Sequence, residues 1–169
     1  MKMSSLSRRK FLGLSTVGAT GVLLAPKTSL AQVPQQNNRP PALSPDLVKE
    51  FVIAGHGNLD RVKEMLAQEA GLLNATWDWG GGDFETALGG AGHMGRKDIA
   101  EFLINKGCRM DIFVATMLGK LDVVKAMLTA YPDIINSKGP HGLTFLHHAR
   151  KGGEEAAPVL KYLESLGAA

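Results

Sequence analysis

One cysteine, Cys108, is present among 169 residues, so no disulfide can form within the chain, whatever the redox state of its compartment. Cys108 falls in a segment whose neighbours supply no clear base. No serine stands in a recognisable nucleophile context either, which leaves no candidate for covalent catalysis. The longest apolar run, "FLGLSTVGATGVLLA", has about fifteen residues loosened by Gly, Ser and Thr, too few to span a bilayer stably. Acid is absent from residues 1–31, which hold Lys2, Arg8, Arg9, Lys10 and Lys27. Without those residues the net charge of +3 becomes −2. The basic excess is therefore local, and it gives no reason to expect a nucleic acid or an anionic membrane as partner.

What stands in the basic segment is "SLSRRKFLGLS", two adjacent arginines directly before the apolar run. It resembles a twin-arginine export signal, with Arg8 and Arg9 as the recognised pair. Ser29 and Ala31 offer small residues at the positions a signal peptidase inspects, so cleavage is expected after Ala31 and the mature protein in the periplasm, without stable membrane insertion. Residues 32–43, rich in Pro, Gln and Asn, read as a mobile linker. At "SPDLVKEF", Ser44 is an N-cap candidate with Pro45 at the first helical position and Asp46 in the first turn, and a helix is expected to begin there. The remaining 44–169 is long enough for one domain.

A phrase recurs in this domain: "GNLDRVKEML" at Gly57, "GRKDIAEFLI" at Gly95, "GKLDVVKAML" at Gly119 and, less perfectly, "GEEAAPVLKYL" at Gly153. Each is a Gly followed by an amphipathic helical pattern, and each follows a shorter apolar segment, so the unit is a helix-turn-helix. The segments before the second and fourth copies are similar to the ankyrin pattern T-P-L-H-x-A-A-x-x-G. Thr86, Leu88, Ala91 and Gly95 match in one, and Thr144, Leu146, His147, Ala149 and Gly153 in the other. The resemblance implies an all-α ankyrin-repeat solenoid of about four repeats with β-turn finger loops, whose outer copies act as caps. Gly107 and Gly167 fit left-handed caps after the second helix of a repeat. The repeat glycines are 38, 24 and 34 residues apart, against about 33 for the family. The first connection should therefore be an enlarged turn, the second should lack a projecting turn, and Pro158 should fall in the first turn of the last helix.

The enlarged turn holds "WDWGGGDFE", with both tryptophans, two aspartates and three consecutive glycines. Trp77, Asp78, Trp79, Asp83, Phe84 and Glu85 are candidates for partner contact, because aromatic anchors on a positioned loop carry binding energy. Packing of one tryptophan or both onto the solenoid is the competing expectation. Gly89, Gly90 and Gly92 leave open space on the inner helix, either as a hollow or as room for the Trp loop to pack against the helix, and neither glycine cluster has the strand and Lys or acid partner of a phosphate loop. His56, His93, Met94 and Met117 fall at positions that face the concave surface in ankyrins, and His141 at the tip of the third turn. The resemblance gives His147 a structural hydrogen bond to backbone.

No histidine pair has the i, i+4 spacing of helical zinc ligands. His56 and His93 with Asp78 or Asp83 could form a metal set, but no metal or cofactor is expected. The reading is a non-enzymatic, monomeric periplasmic protein that binds another protein through its concave face and finger loops. The alternative is a small-ligand or metal-binding protein, or an enzyme, with a pocket between the Trp loop and the glycine-lined helix. A pocket enclosed by Trp77, Trp79, His93 and His141 would favour that alternative.

Overall fold

The computed structural model describes residues 40–168. The export segment, its cleavage point and most of the 32–43 linker lie outside the described residues. The described chain is mostly helical, with eight α-helices and one two-stranded sheet. The helices form four pairs: α1 (Pro45–Gly55) with α2 (Leu59–Gln68), α3 (Ala87–Met94) with α4 (Lys97–Asn105), α5 (Ile112–Met117) with α6 (Leu121–Ala130), and α7 (Phe145–Lys151) with α8 (Ala157–Ser165). The first members stack in series, α1 on α3, α3 on α5 and α5 on α7. Among the described residues no helix is long and apolar enough to cross a membrane.

Local chemistry explains these boundaries. Proline opens α1 as expected, although the Ser44 hydroxyl makes no capping bond. Side chains of Thr86, Asp111 and Thr144 each accept the N–H three residues on, at the starts of α3, α5 and α7, which satisfies one of the free donors of a first turn. Gly107 and Gly167 follow α4 and α8 with φ of 89° and 76°, the left-handed geometry that glycine adopts without steric cost. In the last helix pair a single turn of 3₁₀-helix at Gly153–Ala156 precedes α8, and Pro158 lies in the first turn of that helix.

The core is apolar and falls into two clusters, one in each half of the stack. Phe51, Met65, Leu88, Ile99 and Leu103 fill the first half, and Val124, Phe145, Val159 and Leu163 the second. Neither face of a single pair could bury these residues alone, so each pair depends on its neighbour.

The connections differ in the way the glycine spacing implied. Between α2 and α3 the chain makes a 3₁₀ turn and then a hairpin, β1 (Thr76–Asp78) against β2 (Phe84–Thr86), antiparallel with Trp77 opposite Glu85. Gly80, Gly81 and Gly82 turn the hairpin with positive φ. Between α4 and α5 there is no projecting element. Between α6 and α7 a short turn, Pro140–Gly142, carries His141 at its tip.

Candidate functional site

Hairpin register is the first determinant of the site. A strand alternates its side chains between faces, and in β2 the alternation runs against hydrophobicity. Phe84 points outward and is 61% exposed, whereas the Glu85 carboxylate points inward and the residue is 1% exposed. Burying an ionised carboxylate costs several kcal/mol unless charges and donors meet it. The groups that meet Glu85 come from four separate segments.

Trp79, at the start of the hairpin turn, donates its indole N–H to Oε2 at 2.8 Å. His56, just past the end of α1, places Nε2 3.3 Å from the same oxygen. His93, in the last turn of α3, places Nδ1 3.0 Å from Oε1. His141, on the 140–142 turn, places Nε2 3.4 Å from Oε2. No lysine or arginine forms an ion pair with Glu85 among the described residues. The four donor atoms of His56, Glu85, His93 and His141 lie within 4.8 Å of one another, a grouping that could hold a cation.

The electrostatics follow from this arrangement. Burial alone would raise the Glu85 carboxyl, but the rings of His56 and His93 and the Trp79 N–H outweigh it and hold the group well below the usual carboxylate range. The same carboxylate raises His56 above its ordinary 6.5 against the opposing effect of burial. Asp83 is lowered chiefly because it accepts the His141 backbone N–H.

Glycine on α3 makes the approach possible. A Cβ on Gly90 would stand 2.8 Å from His56 Nδ1, closer than side-chain carbons come, so only glycine lets the imidazole lie against the helix. This corrects the expectation of an open hollow. The space beside Gly90 is filled by the His56 ring, and that beside Gly89 by Pro140 and the Glu85 and Thr86 side chains. Further support comes from α7, where the His147 Nε2–H donates to the His93 carbonyl at 3.0 Å.

Of the other sequence-predicted residues, Asp83 joins the site by accepting from His141. Asp78 caps the glycine turn, accepting from Gly80 and Gly82. Trp77 packs half-buried on the core with the Lys49 ammonium over its ring, and is not part of the enclosure. Phe84 and Met94 are exposed, and Met117 is fully buried. The Met117 assignment to the concave surface is thus corrected. α5 is a short helix wedged between α3 and α7, and its last turn belongs to the core. The acid that lies among His56, His93 and His141 is Glu85, with Asp83 one layer out on His141 and Asp78 in the glycine turn.

No protein-family model matches this chain, and no curated protein matches it.

Proposed function

We propose that this chain is an exported ankyrin-type solenoid that works as a binding protein, and that its site is the cluster around Glu85, which takes a small cationic ligand. The ankyrin assignment is supported by the four stacked helix pairs and by the T-x-L positions at the starts of α3 and α7. The periplasmic location rests on the Arg8–Arg9 segment. The observation that carries the function is a wholly buried carboxylate whose neighbours are three histidines and one tryptophan. A positive centre placed there compensates a charge that no lysine or arginine among the described residues pairs.

Trp79 reports the test, because its N–H is bonded to the carboxylate the ligand must reach. In the full chain carrying Trp77→Phe, emission from Trp79 should change saturably with a small cation, drawn from divalent metal ions, methylammonium and guanidinium. The response should disappear with Glu85→Gln. An unchanged emission across this panel would refute the site.

A second reading keeps the protein partner, and the exposed Phe84 and Met94 side chains favour it. Large apolar groups on a hairpin and at a helix end are the type of anchor such contacts use.

A further inference from the structure

We infer that His56, Glu85, His93 and His141 form a binding site for a single divalent transition-metal ion, of the class that takes mixed imidazole and carboxylate ligands. This rests on the reading of the cluster as a cation site and names its occupant. Three nitrogens and one carboxylate suit zinc, copper, nickel or iron, whereas magnesium and calcium prefer sets made of oxygen alone.

The direction of the rings is the main evidence. His56 Nδ1 lies 2.9 Å from the Val52 carbonyl, and His141 Nδ1 lies 2.8 Å from Asp83 Oδ2. A carbonyl and a carboxylate can only accept, so Nδ1 carries the hydrogen in both rings. In the neutral imidazole that leaves Nε2 with its lone pair, and both Nε2 atoms are aimed at Glu85 Oε2. Two lone pairs facing a carboxylate repel it unless a positive centre lies between them. One proton could satisfy one ring, but three imidazolium groups around one carboxylate would repel each other. A metal ion satisfies all of them at once.

A second observation points the same way. Glu85 Oε1 and His93 Nδ1 are buried side by side without a hydrogen-bond partner for either atom. They are 3.0 Å apart but not aligned to bond each other, as two ligands of one ion would be. Metal–ligand bonds of about 2.0 to 2.1 Å put neighbouring ligands of a tetrahedral ion about 3.3 Å apart. The contacts around Glu85 run from 3.0 to 3.4 Å. The wider separations within the set close by movement of His56 and His141, the more exposed of the rings.

Three of the four ligands also have an orienting partner, which is the arrangement metal sites use to fix ring and tautomer. Val52 holds His56, Asp83 holds His141, and Trp79 holds Glu85. His141 is the only described non-glycine residue with positive φ, at 57°, so the turn accepts a strained backbone where it delivers this ring. Glu85 and Asp83 together balance the charge of a divalent ion.

Full chain freed of metal with chelator should bind one equivalent of Zn²⁺ in calorimetry, and Co²⁺ should give the visible absorption of a four-coordinate nitrogen–oxygen site. Glu85→Gln and His56→Ala should weaken Zn²⁺ at least about 100-fold, and Asp83→Asn, which touches only an orienting partner, about 10- to 100-fold. His141→Ala, on an exposed turn, covers the case in which a buried variant does not fold, and circular dichroism verifies each. Absence of one-site binding of Zn²⁺, Co²⁺, Cu²⁺ and Fe²⁺, or binding unaffected by His56→Ala and His141→Ala, overturns the metal assignment. If methylammonium or guanidinium still perturbs Trp79 in that event, the broader cation reading stands. If nothing does, both fall.

Discussion

Asp83 accepts two hydrogen bonds from His141, from the backbone N–H at 2.9 Å and from ring Nδ1 at 2.8 Å, and so ties the 140–142 turn to a hairpin 58 residues earlier. The two contacts do different things. The backbone bond holds a left-handed residue in place, and the ring bond sets which nitrogen faces Glu85.

These effects separate in a pair of variants. His141→Gly and His141→Ala both delete the ring, but only glycine accepts the φ of 57° without strain. The alanine variant should be the less stable by about 1 kcal/mol, while both lose the site contacts equally. Paired thermal melts measure the difference, and equal melting temperatures would mean that the turn relaxes once the ring is gone.

Gly90→Ala tests the approach of α1 to α3. Alanine is the better helix former by roughly 1 kcal/mol, yet its Cβ would collide with the His56 imidazole. That ring end can swing away, so helix content and melting temperature should hold while Zn²⁺ affinity falls at least about 10-fold, the lower end of the cost of disturbing a metal ligand. Unchanged affinity would show that His56 is not a ligand.

The tryptophans should respond in opposite ways. Trp77 packs on the core while half-exposed, so Trp77→Ala should cost about 2 to 3 kcal/mol, less than the 3 to 5 of a fully buried aromatic. It should leave ligand affinity nearly intact. Trp79→Phe keeps most of the ring but removes the donor to Glu85 Oε2, at about 1 to 3 kcal/mol for a buried acceptor left short. Its main consequence should be in binding. Melting curves and Zn²⁺ titrations on both variants decide the matter, and equal loss of affinity in the two would contradict the division of labour.

The parts of the fold legible beforehand are those governed by local chemistry: Pro45 opening α1, left-handed Gly107 and Gly167, Pro158 in the first turn of α8, and the enlarged connection before α3. Ligand candidates were legible one by one, because His56, His93 and His141 precede or occupy turns. Their meeting point was not. It depends on hairpin register, which puts Glu85 inside and Phe84 outside, the reverse of what hydrophobicity alone selects. Such a conflict between local preference and final position is characteristic of functional sites. The three α3 glycines were misleading for a related reason. Absence of side chains there signals close approach of the His56 ring, Pro140 and Val114, and the distance of those groups along the chain hid it.

His148 and His56 should oppose each other in the pH dependence of stability. Burial lowers His148 below its ordinary 6.5, against the Thr144 carbonyl that accepts its Nδ1–H bond. As pH falls through that ordinary value, the unfolded chain gains a proton that the folded chain resists, so this residue lowers stability in acid. His56 is raised by Glu85. Its contribution is fully present below the ordinary value and is lost as pH rises through the folded one. Melts of the full chain from pH 8 to pH 5, with chelator present because metal competes for the same nitrogens, should therefore diverge between two variants. His148→Asn keeps a donor for Thr144 and should flatten the loss of stability in acid. Glu85→Gln removes the partner of His56 and should steepen that loss. A His148→Asn curve parallel to that of the parent chain would show that the buried ring takes up its proton as easily folded as unfolded, and would withdraw the burial account of its pKa.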